Sequence, residues 1–253
     1  MTEPRQVLLE VATASADDVV TAWASGADRV ELNSALMLGG LTPSLGTLIE
    51  ARARAPIPII AMVRPRSGGF AYSEAEFATM LRDADLLVEH GATGLAFGFL
   101  HENGQIDRVR TRRVVKCMGP GHESVFHRAF DVVNDPFEAL EVLIDLGVHR
   151  VMTSGQEDSA YHGAARIAEL IARAAGRIEI LPAGGINRFT IDDVLARTGC
   201  DQVHASLKAA RVDGSTSNRP AISFGGVLRP AENLYDATDP DAVAAMRERL
   251  GRS

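Results

Sequence analysis

Residues 7–33 read VLLEVA TASADDVVTAWASGAD RVELN, and the fold follows from how that stretch alternates. Val7 to Ala12 is a short apolar strand interrupted by one acid, Glu10. Arg29 to Asn33 is a second such strand, carrying Glu31 and Asn33. Between them the period changes to that of a helix, from Ser15, an N-cap type, to Ser25, with Gly26 placed to end it. Side chains of a strand point alternately to its two faces. If Leu9, Val11, Val30 and Leu32 cover the face that packs on helices, then Glu10, Glu31 and Asn33 face the other way.

The same β-α unit recurs outward along the chain. Further strands are predicted over Ile57–Arg64, Gly94–Leu100, Ser124–Phe130, Arg150–Ser154, Ile178–Pro182 and Gln202–Leu207. Helices are predicted to end near Arg54 and His90, and to span Asp107–Cys117, Pro136–Leu146, Gly163–Ala175 and Thr190–Arg197. Strict strand–helix alternation gives a parallel sheet, and eight units in 253 residues match a single (β/α)₈ TIM barrel. The α/β chain therefore reads as one domain over residues 1–253. A long Ser/Asn/Pro/Gly-rich loop, Arg211–Thr238, follows strand eight and leads to a final helix, Asp239–Leu250. That loop is expected to cover the barrel mouth or to reach a neighbouring subunit.

Composition narrows the function. The hydrophobic fraction of 46% supplies a core, and the net charge of −7 is the wrong sign for a nucleic-acid surface. Two cysteines, Cys117 and Cys200, match no metal-ligand or disulfide spacing and suit a reducing compartment. Met1–Gln6 carries no apolar signal segment, and no stretch reaches the length of a membrane span. A cytoplasmic protein is expected, with neither membrane nor nucleic acid as partner. Trp23, on the first helix, is expected to pack against the barrel.

In such barrels the strand C-termini converge on one rim, where the active site lies. Parity points Glu10, Glu31, Arg64, His204 and Ser206 inward, with His127 placed inward by preference. Strands one, two, three and eight adjoin, so Glu10, Glu31, Arg64 and His204 meet. Arg64 is expected to neutralise one carboxylate, and like-charge repulsion to raise the pKa of the other. Glu10, Glu31, His127 and His204 are the candidate proton carriers. Asn33, Arg64, Arg66, Arg128, Asp131, Thr153, Ser154, Gly184, Gly185 and Ser206 are the candidate substrate contacts. Arg64 and Arg128 suit an anion, while Gly184 and Gly185 let backbone amides approach one. Asp131 is read either as a cap or as the holder of Arg128. The chemistry these groups suit is that of an isomerase, epimerase or lyase acting on a small anionic or polyhydroxylated substrate. Glu and His also suit a divalent metal ion, although no spacing requires one.

Several motifs, in order, resemble the copper homeostasis protein CutC family: Leu9-Glu10-Val11, residues 26–32, residues 39–44, Arg64-Pro65-Arg66, residues 126–131, residues 150–155 and Val203-His204. The resemblance runs from about Leu8 to Ser206. It implies a cytoplasmic barrel, a homo-oligomer, and a role in copper binding and tolerance, with no enzymatic activity firmly assigned. Ala12 and Asn33 stand where members commonly carry cysteine, and Gly69 where an acid is common. Soft thiolates select copper(I), so copper is a poor match to this rim. Three functions are therefore carried forward: an enzyme, a copper-handling protein, and a non-catalytic oligomeric scaffold.

Overall fold

The computed structural model describes residues 7–224 and 232–251. Eight parallel strands form the sheet: β1 (Leu8–Thr13), β2 (Arg29–Leu32), β3 (Ile59–Met62), β4 (Gly94–Phe97), β5 (Glu123–Phe126), β6 (Arg150–Thr153), β7 (Glu179–Pro182) and β8 (Gln202–Ala205). The hydrogen-bonded order is β7-β6-β5-β4-β3-β2-β1-β8, so the strands follow chain order with β8 returning beside β1. β7 and β8 lie against each other without a backbone ladder, leaving a nearly closed barrel.

The helices are α1 (Ala16–Ala24), α2 (Leu45–Arg54), α3 (Glu74–Glu89), α4 (Arg108–Met118), α5 (Pro136–Asp145), α6 (Ala164–Ala174), α7 (Ile191–Thr198) and α8 (Pro240–Leu250). Their starts are written in the sequence. Ser15, Ser44 and Ser73 cap α1, α2 and α3, and Asp107, Asp135 and Asp239 cap α4, α5 and α8. Each side chain accepts a backbone N–H that the first turn cannot otherwise satisfy.

Two apolar layers follow from strand parity. Leu9, Val11, Val30, Ile59, Leu95, Phe126, Val151, Ile180 and Val203 face the helices. A smaller set, Ile60, Met62, Ala96, Val125, Met152, Leu181 and Ala183, fills the barrel itself. Phe126 is thus outside, which turns Val125 and His127 inward.

Several expected boundaries shift. β3, β4 and β5 are shorter than predicted, because the chain leaves the sheet at the rim to build the mouth. After β5 it tightens into a 3₁₀ turn, Arg128–Val132, with His127 as N-cap. Trp23 does not pack against the barrel: it is exposed. The segment after β8 is only partly loop. β9 (Lys208–Val212) pairs antiparallel with β10 (Leu234–Thr238) as a two-stranded ribbon, and residues 225–231 of the expected loop lie outside the described residues. Among the described residues, no helix is long and apolar enough to cross a membrane.

Candidate functional site

The strand C-termini enclose a cavity of about 370 Å³, lined from every side of the barrel except β4: Ala12 of β1, Glu31 and Asn33 at β2, Met62 and Arg64 at β3, His127 and Arg128 after β5, Met152 of β6, Ala183 to Ile186 after β7, and His204, Ser206 and Lys208 from β8 onward. Loop residues Leu36, Gly39 and Phe70 complete the wall.

Its charged centre is set by strand register. Glu10 stands level with Arg29 on β2 and with His204 on β8. Arg29 Nε donates to Glu10 Oε2, and His204 Nδ1 lies 2.8 Å from Glu10 Oε1. His204 Nε2 then lies 4.0 Å from Glu31 Oε2, which also accepts from Asn33 Nδ2 at 3.0 Å. Burial works against charge on Glu10, but Arg29 and the His204 hydrogen bond outweigh it and hold its pKa at about 2. Burial also opposes charge on His204. The Glu10 hydrogen bond and the two carboxylates overcome it, and the ring's pKa is raised. Glu31 has no arginine of its own; burial, with repulsion from Glu10, raises its pKa. The environments thus push the two carboxylates apart, Glu10 toward its charged form and Glu31 toward its neutral one.

Glu10 does not line the cavity. It is fully buried below it, so it acts on His204 and not on a ligand. Arg64 departs from expectation too. Its guanidinium donates to the carbonyls of Leu38, Gly40 and Gly68 at 3.1, 3.0 and 2.9 Å and, among the described residues, pairs with no carboxylate. Arg29 takes that part instead, and the rule of alternation that marked Glu31 marks Arg29 as well, two residues earlier on the same face.

On the opposite wall, His127 Nδ1 accepts from Ala129 N at 3.1 Å, so the neutral ring carries its proton on Nε2. Burial, with Arg64 nearby, lowers its pKa to about 3. The ring packs on Phe70, with centroids 5.1 Å apart. Beside it, Arg128 Nε and Nη2 donate to Asp131 and Ser154 at 2.7 Å each. Asp131 further accepts from Thr153 Oγ1, from the Ser154 amide and hydroxyl, and from the Gln156 amide. Asp131, Thr153 and Ser154 are therefore the mount for Arg128 and lie outside the cavity lining. Arg66 lies outside as well, clamped by Glu76 and by carbonyls of its own loop. Residues that alternation had no means to find are Phe70, Leu36 and Lys208, which enter from loops and from the ribbon.

Glu10, Glu31 and His204 offer ligand atoms within 4.8 Å of one another, a spacing compatible with a cation. Both oxygens of Glu10 are already engaged, one by an arginine, so a cation there must displace Arg29 or His204. Neither thiol reaches the cavity: Cys117 is on α4 and Cys200 precedes β8. The soft donors that do line it are the thioethers of Met62 and Met152.

This arrangement has relatives. The sequence profile of the CutC family matches residues 7–209. A CutC family protein of Treponema denticola is 46% identical over 246 residues, 97% of this chain and 100% of that one. The human copper homeostasis protein cutC homolog is 39% identical over 94% of this chain and 87% of its own. A crystal structure of a CutC protein from Streptococcus agalactiae superposes with a TM-score of 0.73 at 30% identity, covering 78% of this chain and 97% of that one. An aldolase structure at 16% identity and a TM-score of 0.61 shares the fold alone. Profile, relatives and structure agree: the chain belongs to the CutC family.

Proposed function

We propose that this protein is an enzyme of the isomerase, epimerase or lyase type, moving a proton on a small anionic or hydroxylated carbonyl compound in the cytoplasm. The supporting observation is that, of seven buried side-chain atoms without a hydrogen-bond partner among the described residues, four belong to residues of the cavity: Glu31 Oε1, Asn33 Oδ1, Arg64 Nε and His127 Nε2; the other three, Tyr72 Oη, Thr111 Oγ1 and His122 Nδ1, lie elsewhere. An unsatisfied buried polar atom costs about 1–3 kcal/mol, and concentrating four at one place is what a pocket awaiting a polar ligand does.

The roles follow from protonation. Arg64 Nε–H and His127 Nε2–H are paired donors, the second on a ring that stays neutral, suited to an oxygen that gains charge during reaction. Glu31, its pKa raised by burial and with His204 Nε2 4.0 Å away, is matched to taking a proton from carbon and returning it. In that step the C–H bond breaks, its electron pair passes through the adjacent carbon to the carbonyl oxygen, and the enolate rests against Arg64 and His127. Glu10 and Arg29 fix the charge and orientation of His204. The free thiols suit a reducing compartment.

Hydroxy-aldehydes, hydroxy-ketones and keto acids should be screened by thermal shift, and the hits followed in D₂O by proton NMR. Exchange of a carbon-bound proton is expected with the native protein, slowed about 10²- to 10⁴-fold in Glu31→Gln. Equal exchange in that variant, or a screen without hits, would sink the reading.

A second reading is copper handling, favoured by the names of the human and mouse relatives and by the Met62 and Met152 thioethers in the cavity. Competition with a copper(I) chelator tests it. The reading requires binding that Met62→Leu and Met152→Leu weaken.

A further inference from the structure

The glycine pair after β7 has a second property. Gly184 and Gly185 both adopt left-handed backbone, at φ 95° and 70°, and both line the cavity. Among the described residues, nothing accepts from either amide. Successive amides in such a turn form a concave donor surface for anions. Arg128 lies against Gly184, and Ser159 against Gly185. A Cβ added to Gly184 would sit 3.3 Å from the guanidinium carbon and from Nη1, so a side chain there would push the arginine away. Nε and Nη2 are occupied by Asp131 and Ser154, which leaves Nη1 facing the glycines. The Asp131 charge is spent on Thr153, Ser154, Gln156 and Arg128. Ser206, from the adjoining strand, adds a hydroxyl to the same wall.

We infer that Arg128, Gly184, Gly185 and Ser206 hold the phosphate of a phosphomonoester substrate. A tetrahedral dianion suits donors arriving from several directions, whereas a carboxylate presents two oxygens in one plane. The apolar part of the lining, Met62, Met152 and Ala183, receives the carbon chain. The inference rests on the enzymatic reading above and narrows its substrate class.

Titration calorimetry of the full chain with inorganic phosphate tests it, with acetate as the carboxylate control. Phosphate is expected to bind, acetate at equal concentration not to. Arg128→Gln, at a partly exposed side chain, is expected to weaken phosphate at least about tenfold with its thermal midpoint checked alongside. Gly184→Ala is expected to act in the same direction by displacing the guanidinium. Acetate binding as tightly as phosphate, or phosphate binding unaffected in a folded Arg128→Gln, overturns the inference. If phosphate fails while unphosphorylated hydroxy-carbonyls still exchange protons through Glu31, only the phosphate site falls. If both fail, the enzymatic reading falls with it.

Discussion

Glu10 and His127 are buried at the same barrel end but respond to acid in different windows. Glu10 has a folded pKa of about 2 against 4.5 when free. The unfolded chain therefore takes up its proton first, and the stability it contributes is complete above about pH 4.5 and lost as the pH falls toward 2. A shift of this size corresponds to about 3 kcal/mol. His127 has a folded pKa of about 3 against 6.5, and again the unfolded state binds more protons, so stability falls from about pH 6.5 downward. Urea unfolding of the native protein should begin to weaken near pH 6.5. In His127→Gln the onset should move to near pH 4.5. Glu31, whose pKa is raised, works in the opposite sense above about pH 4.5, so the readout is the difference between the native and His127→Gln curves: no difference between pH 7 and 5 would contradict the neutral, buried assignment of His127. Gly98 bears on the same ring: a Cβ there would lie 2.5 Å from His127 Cε1 and 2.7 Å from Ala129 Cβ. Gly98→Ala should cost about 1–3 kcal/mol as overpacking does and shift the His127 ring signals in NMR.

The mouth is made by short elements whose members the sequence distinguishes unequally. Arg64 and Arg66 look alike in the run Arg64-Pro65-Arg66, yet the loop separates them. Arg64 turns into the barrel, and Arg66 joins the Ser73/Glu76 capping box of α3. Arg66→Ala should therefore change ligand binding less than about twofold, as suits an exposed ion pair, and Arg64→Ala should abolish it; binding isotherms for the two variants decide. Alternation made Glu31, Asn33, His204 and Ser206 legible, because a strand of period two commits every second residue to one face. It also placed Glu10 inward, but facing inward is not the same as reaching the cavity. Depth along the strand depends on register between strands, and register sets Glu10 beside Arg29, beneath the mouth. Asp131 shows the same limit. Its sequence offered either a cap or a holder for Arg128, and the 3₁₀ turn decides for the holder. Phe70 and Lys208 carry no periodic signal, since their place depends on how a loop and a ribbon fold back over the rim.

Across the whole barrel, the seam between β7 and β8 is where the backbone ladder is missing. Polar side chains at the strand N-terminal ends span it. Arg29 Nη2 donates to Gln202 Oε1 at 3.0 Å, Gln202 Nε2 to Glu179 Oε2 at 3.1 Å, and Arg150 joins Glu179 to Glu123 through contacts of 2.6 and 2.9 Å. This circuit continues through Arg29 to Glu10, so the side chains that span the seam also hold the carboxylate beneath His204. Gln202 is its one link between β7 and β8. Replacing it with leucine keeps the bulk but leaves Arg29 Nη2 and Glu179 each short of a partner, at a cost of about 1–3 kcal/mol. If the circuit closes the barrel, Gln202→Leu should speed amide hydrogen exchange in β7 and β8 while β2, β3 and β4, laddered on both edges, keep their protection. If packing of the outer helices closes it instead, exchange should rise evenly over all strands or not at all. The same variant should shift the NMR signals of the His204 ring even though Gln202 lies outside the cavity lining, because Arg29 loses the Gln202 contact beside the one it makes to Glu10, and Glu10 holds His204.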